Sequence, residues 1–178
     1  MRKLVVTTFL SLDGVMEQPS WTAPYWNDEI AKFKAEETLA SDALLLGRVT
    51  YQGFAAAWPG SDDEGAAYFN GVRKYVVSTT LDKAEWNNSV LIKDDVVAEI
   101  TRLKQQDGQD LIVHGSATLV QTLMQHDLVD SYRLLVYPVV VGSGKRLFKE
   151  GTAATLKLVE ARALGSGVAA LIYEPDRK

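Results

Sequence analysis

Three short stretches of the chain combine small residues and hydroxyls, the first of them with an arginine. They are Gly47-Arg48-Val49-Thr50, Ser78-Thr79-Thr80 and Gly115-Ser116-Ala117-Thr118, and each follows an apolar run. A glycine lets a ligand approach the backbone closely. The free N–H groups of a helix start, with an arginine and a hydroxyl nearby, suit a phosphate. One such strand end also reads as a plain strand-to-helix turn with a surface arginine. Three of them at the carboxyl edge of one sheet suit a ligand with several phosphates, such as a dinucleotide.

The other candidates have two readings each. Asp13, in Ser11-Leu12-Asp13-Gly14, is either an Asp-Gly turn residue or a group that holds a substrate N–H or supplies a proton path. Trp21, Trp26 and Trp58 can stack on a heteroaromatic ring, but Trp26 falls on a periodic apolar face and is read as core. His114 ends a buried strand and is read as a satisfied structural histidine. Tyr137 and Pro138 either line a pocket or pack. Common catalytic signatures are missing from the 178 residues: there is no G-x-G-x-x-G, no H-E-x-x-H and no G-x-S-x-G. Gly142-Ser143-Gly144-Lys145-Arg146 is not a P-loop, because Val139 and Arg146 stand where glycine and Ser/Thr belong. With no cysteine, disulfides, thiolate metal sites and a cysteine nucleophile are excluded, and no metal is expected.

The elements that must position these residues alternate. Strands are predicted at 3–10, 42–46, 73–80, 89–92, 110–116 and 130–142, the last with a proline that can interrupt it. Helices are predicted at 25–39, 48–57, 94–106 and 116–126. A short helix follows Ser61, with Glu64 three residues on in a capping-box pattern. The segment from Thr155 to Pro175 reads as two strands around Gly165-Ser166-Gly167, an antiparallel hairpin. This pattern predicts an α/β fold with a mostly parallel sheet covered by helices and an antiparallel edge. The length and the 47% hydrophobic content suit one domain, residues 1–178. A net charge of −4 without a Lys/Arg-rich run argues against nucleic acid. No segment reaches the roughly 18 apolar residues of a membrane span, and a cytoplasmic protein is expected.

Residues 115–148, GSATLVQTLMQHDLVDSYRLLVYPVVVGSGKRLF, resemble the C-terminal signature of the dihydrofolate reductase-like superfamily. The branch is the one related to the reductase domain of bacterial riboflavin biosynthesis. It shows Gly-Gly or Gly-Ser after a strand, a short helix, Leu-Val-Asp, a strand with proline, and Gly-x-Gly before Leu-Phe. LLLGRVTY resembles the family's Gly-Arg-x-Thr phosphate loop, SLDGVME its active-site loop, and VVST its second nucleotide-binding strand end.

The resemblance implies a three-layer dihydrofolate reductase-like fold and NADPH as cofactor. Gly47, Arg48 and Thr50 would hold its pyrophosphate and phosphate. Ser78 and Thr79 would lie near the adenosine ribose and 2′-phosphate. Gly115, Ser116, Ala117, Thr118 and Leu119 would pass the pyrophosphate and nicotinamide. Asp13 would be the catalytic-site residue, and Asp13, Trp21, Tyr137 and Pro138 would meet the substrate. Serine at 116 in place of a second glycine is expected to cap the following helix. Dihydrofolate reductases place an acid in the first helix; here Asp28, Glu29, Glu36 and Glu37 are all in or near it, and no spacing selects one.

The implied activity is hydride transfer from NADPH to a C=N or C=O carbon of a small heterocycle, pterin- or pyrimidine-like. It would be similar to 5-amino-6-(5-phosphoribosylamino)uracil reductase or dihydrofolate reductase. The alternative is a non-catalytic nucleotide-binding dimer that retains the fold. A homodimer is expected through the strand RLLVYPVVV and the C-terminal hairpin.

Overall fold

The computed structural model describes residues 1–177. Eight strands form one sheet: β1 (Leu4–Leu10), β2 (Ser41–Gly47), β3 (Arg73–Val77), β4 (Ser89–Ile92), β5 (Asp110–His114), β6 (Ser131–Val136), β7 (Leu156–Ala163) and β8 (Ala169–Pro175). The order across the sheet is β4-β3-β2-β5-β1-β6-β8-β7. The first six are parallel; β8 runs antiparallel to β6, and β7 antiparallel to β8. Parallel strands need covered faces, and the apolar runs LLL at 44–46 and LIV at 111–113 are the sequence trace of that burial.

Helices α4 (Val96–Gln105) and α5 (Ala117–Gln125) lie on one face. Ile100, Leu103, Leu119 and Leu123 pack there on Leu4, Val6, Leu45 and Val113. The opposite face carries α1 (Asp28–Leu39), α2 (Arg48–Ala57) and α3 (Ala66–Gly71). Ile30 and Phe33 of α1 pack on Leu135 and Tyr137, while Tyr51 and Phe69 pack on Leu44, Leu46 and Ile112. The result is the expected three layers.

Four expectations need correction. Trp26 is 51% exposed, because α1 begins only after Asn27, which caps Ile30 N–H. Ser61 and Glu64 form no capping box: the helix starts at Ala66, and Asp63 folds the approach by accepting Gly65 N–H. Trp58 is committed to stacking on Phe69, with ring centroids 4.2 Å apart. The strand RLLVYPVVV is not an edge. It stops at Val136, before Pro138, and lies between β1 and β8; the sheet's edges are β4 and β7, so of the two expected segments only the C-terminal hairpin supplies one.

One buried ionic group sits under α1. The Glu37 carboxylate is wholly buried; it accepts from Thr7 Oγ1 at 2.8 and 3.0 Å and pairs with Lys34. Breaking a buried pair costs more than removing it, since the survivor is an uncompensated charge. Lys34→Met is therefore expected to destabilise by about 3 kcal/mol or more. The double change Lys34→Met with Glu37→Leu should recover most of that loss. Urea denaturation of the three proteins checks it.

Candidate cofactor and substrate site

The three hydroxyl-bearing strand ends converge because their strands are neighbours. β3, β2 and β5 lie side by side, with Gly47 paired to Val77 and Leu45 to Val113. Ser78, Gly47 and Gly115 therefore line one contiguous edge, spanning about 10 Å at two inter-strand spacings.

At its centre the Ser116 hydroxyl ties two turns together. It accepts Gly47 N–H at 2.9 Å and lies 3.0 Å from Thr50 Oγ1 and 3.1 Å from the His114 carbonyl, either of which can take its proton. This is not the cap expected of a serine at this place. The hydroxyl is turned toward β2, and neither Gly47 nor Ser116 gives its helix a side-chain cap. The first turns of α2 (Arg48, Val49, Thr50) and α5 (Ala117, Thr118, Leu119) thus begin side by side with uncapped backbone donors. Such donors and the helix dipole favour an anion.

The backbone is special here. Gly115 and Ser116 both have left-handed φ, 54° and 59°. A Cβ on Gly115 would come within 3.3 Å of Thr50 Oγ1, and one on Gly47 within 3.3 Å of Ser116 Oγ. The turns approach closely at both glycines, and at Gly115 the left-handed backbone adds a second reason for glycine.

The remaining site residues are distributed around this centre. Arg48 is exposed at the mouth, with its guanidinium 3.1 Å from Gln52 Oε1. Ser78 is buried, and its hydroxyl accepts the N–H groups of Thr80 and Leu81 at 3.2 and 3.1 Å; Thr79 is exposed. Leu119 is buried in the core, so its side chain packs, while Thr118 is exposed. A cavity of about 300 Å³ lies beside the first turn of α5, lined by Ala117, Thr118, Lys145, Arg146 and Lys149. These three cations escaped the sequence reading, because the loop that carries them reads only as a failed P-loop.

Asp13 ties the loop after β1 to the loop after β6. Its carboxylate accepts from Ser11 Oγ at 2.6 Å and from the N–H groups of Val141 and Gly142 at 3.1 and 2.8 Å. The Ser11 hydroxyl and those two N–H groups hold the carboxyl down to about 2. It is therefore a carboxylate in neutral solution: it can orient a water or a substrate N–H, and it does not deliver a proton itself. The same two loops are joined by Leu12 N–H to Val139 O at 2.7 Å and Met16 N–H to Lys145 O at 2.9 Å.

Tyr137 is fully buried and touches the rings of Phe9, Trp21 and Tyr25 edge-on, at 5.6 to 6.0 Å between centroids. Its hydroxyl and Trp21 Nε1 are buried without partners among the described residues. Pro138 is exposed and packs near Gly167. His114 is buried, as expected, but its Nε2 has no partner among the described residues.

Two substitutions separate the roles in the turn. Gly115→Ala puts a Cβ against Thr50 in a left-handed conformation and should cost about 1–3 kcal/mol. Ser116→Gly relieves left-handed strain of about 1–2 kcal/mol and loses the hydroxyl's accepted and donated hydrogen bonds, each worth about 1 kcal/mol. Its stability should therefore stay close to wild type. Thermal melts distinguish the two.

Residues 2–170 match the model of the RibD C-terminal domain. The chain is 28% identical over 178 residues to YyaP of Bacillus subtilis (strain 168), covering 97% of this chain and 94% of that one. In structure it is similar to a putative riboflavin biosynthesis protein from Shewanella sp. PV-4, with a TM-score of 0.81, 19% identity and coverage of 98% and 99% of the two chains. It is also similar to dihydrofolate reductase from Enterococcus faecalis, complexed with NADP(H) and RAB-propyl; the TM-score is 0.67, with 15% identity and coverage of 98% and 97%. The chain belongs to the RibD C-terminal domain family and has the dihydrofolate reductase-like fold.

Proposed function

We propose that the protein is an NADPH-dependent reductase acting on a small pterin- or pyrimidine-like heterocycle. The observation that carries this reading is the pair of uncapped helix starts, Arg48 and Ala117, tied side by side by Ser116 at the carboxyl ends of neighbouring parallel strands.

The chain's residues fit such a cofactor. The backbone donors of α2 and α5 hold the pyrophosphate, Arg48 closes over it from the mouth, and Ser78 and Thr79 lie toward the adenosine end. Lys145 and Lys149, which have no carboxylate partner among the described residues, add positive potential beside the first turn of α5. When bound, NADPH supplies a hydride from nicotinamide C4. The protein's part is to position the two rings and exclude water. Phe9 and Trp21, partly exposed and braced edge-on by the buried Tyr137, offer a wall for a flat substrate. Asp13 holds a water or a substrate N–H at the loop junction.

A homodimer is part of the proposal. β7 is an edge strand exposed along seven of its eight residues, with Leu158 and Val159 at 50% and 54% exposure. An exposed edge of this length is a template for pairing. Leu158→Arg is expected to convert a dimer to a monomer by light scattering, and a wild-type monomer would end this part of the proposal.

The cofactor test is quenching of tryptophan fluorescence by NADPH. Arg48→Ala removes one charged hydrogen bond, worth about 1.5–3 kcal/mol, so binding should weaken about ten- to hundredfold. No quenching with wild-type protein would overturn the reductase reading. Binding without turnover of any pterin or pyrimidine would leave the non-catalytic alternative.

A further inference from the structure

A second cavity, of about 300 Å³, lies further along α5. It sits at the amino end of the parallel strands, away from the cofactor edge. Tyr132 is the second residue of β6, Leu156 the first of β7 and Pro175 the last of β8, and all three line it. Met124, near the end of α5, and Val129, just before β6, complete an apolar floor. At roughly 30 Å³ per water there is room for about ten, the size of a molecule with two fused rings.

The roof is the segment from Lys149 to Thr155, which leads into β7. It is thin, since Gly151, Ala153 and Ala154 carry little or no side chain. It is also fixed in height. Thr152 Oγ1 donates to Gln121 Oε1 at 3.0 Å, and the same buried amide donates through Nε2 to the Leu147 carbonyl. The space below is therefore built into the fold, as ligand pockets usually are.

Tyr132 gives the cavity its chemistry. The residue is 2% exposed, and its hydroxyl has no hydrogen-bond partner among the described residues. Burial first, and the Asp127 charge second, push the phenol up to about 12. At neutral pH it is a donor without an acceptor, which is costly in a buried wall. Its ring lies against Phe148, with centroids 6.1 Å apart, and the Met124 thioether adds a soft surface that suits a second aromatic ring. The charges at the rim select against an ion. Lys149 and Glu150 offset each other, and Asp127 is held by Arg177 at 3.0 Å.

We propose that this cavity is a second small-molecule site, which takes a flat, uncharged, two-ring compound whose carbonyl oxygen accepts the Tyr132 hydroxyl. The ring system lies between Met124 and Leu156 on the floor and the small residues of the roof. The site shares no residue with the loop of Asp13 or the aromatic wall, and it does not rest on the reductase reading.

The chain has three methionines, Met1, Met16 and Met124, so ¹³C-methyl labelling gives a spectrum with one reporter in the cavity and one, Met16, in the loop after β1. The probe is coumarin. Coumarin-3-carboxylate is the charged control, and benzofuran, which lacks the carbonyl, is the other. Coumarin should shift Met124 to saturation and leave Met16 in place. Benzofuran and the carboxylate should each bind at least threefold more weakly. Tyr132→Phe keeps the ring and removes the donor, so it should weaken coumarin about three- to tenfold and leave benzofuran unchanged.

The proposal is overturned if coumarin leaves Met124 unmoved, if it moves Met16 instead, or if either control binds as tightly as coumarin. Equal coumarin binding by Tyr132→Phe would also overturn it. The wild-type titrations decide the matter even if that variant fails to fold. Neither NADPH binding nor turnover enters the readout, so failure of the reductase reading and failure of this site are seen separately.

Discussion

The bond from Gly47 N–H to the Ser116 hydroxyl sets the geometry of the whole carboxyl edge. It joins the end of β2 to the turn after β5, and the neighbouring Thr50 hydroxyl extends the tie into α2. Such a bond requires two backbones to pass at a distance that any side chain at 47 or 115 would disturb. It also requires Ser116 to hold a left-handed conformation that a serine adopts only at some cost. A strained non-glycine residue persists when its surroundings over-determine it, and such residues cluster at functional sites. The strain here keeps two helix starts adjacent, with their donors uncapped.

Those uncapped donors explain why the turn needs a ligand-rich edge around it. A helix start without a side-chain cap leaves N–H groups that must find water or an anion. Two such starts on neighbouring strands, with Arg48 at the mouth and Lys145 and Lys149 beside α5, concentrate positive potential in an otherwise acidic protein of net charge −4. Local field and net charge are separate quantities, and the local one selects the ligand. The loops that carry Asp13 and Arg146 are pinned to each other by backbone bonds, so the rim of the site is built as one piece rather than as two free loops.

Much of this was legible in the sequence for a physical reason. The apolar runs before Gly47, Ser78 and Gly115 mark buried parallel strands, and parallel strands must end together at one edge. The glycines and hydroxyls there announced a close approach. What the sequence could not carry was orientation. Ser116 reads as a helix cap because serine caps helices; only the register between β2 and β5 brings Gly47 N–H near enough to compete for the hydroxyl. Glu37 reads like its acidic neighbours Asp28, Glu29 and Glu36, and only the contact with Thr7 across the layer singles it out as buried. Trp26 matched a helical period extended two residues too far back, since Asn27 caps the helix and Asp28 begins it. His114 reads as a satisfied core residue because satisfaction depends on partners from other elements, and here none arrives.

The alternation of β5 and the turn after it account for how one strand end presents a side chain to one layer and a helix start to the other. His114 points to the face of α1 and α2. One residue later Gly115 and Ser116, both left-handed, reverse the chain's course, and α5 departs on the opposite face. An ordinary right-handed turn would not place the uncapped start of α5 beside Gly47 while leaving His114 on the other side. The side chain at the strand end and the backbone donors of the next helix are thereby held within two residues of each other, facing opposite layers. A side chain on one face and a helix start on the other are thus set by four consecutive residues, His114 to Ala117.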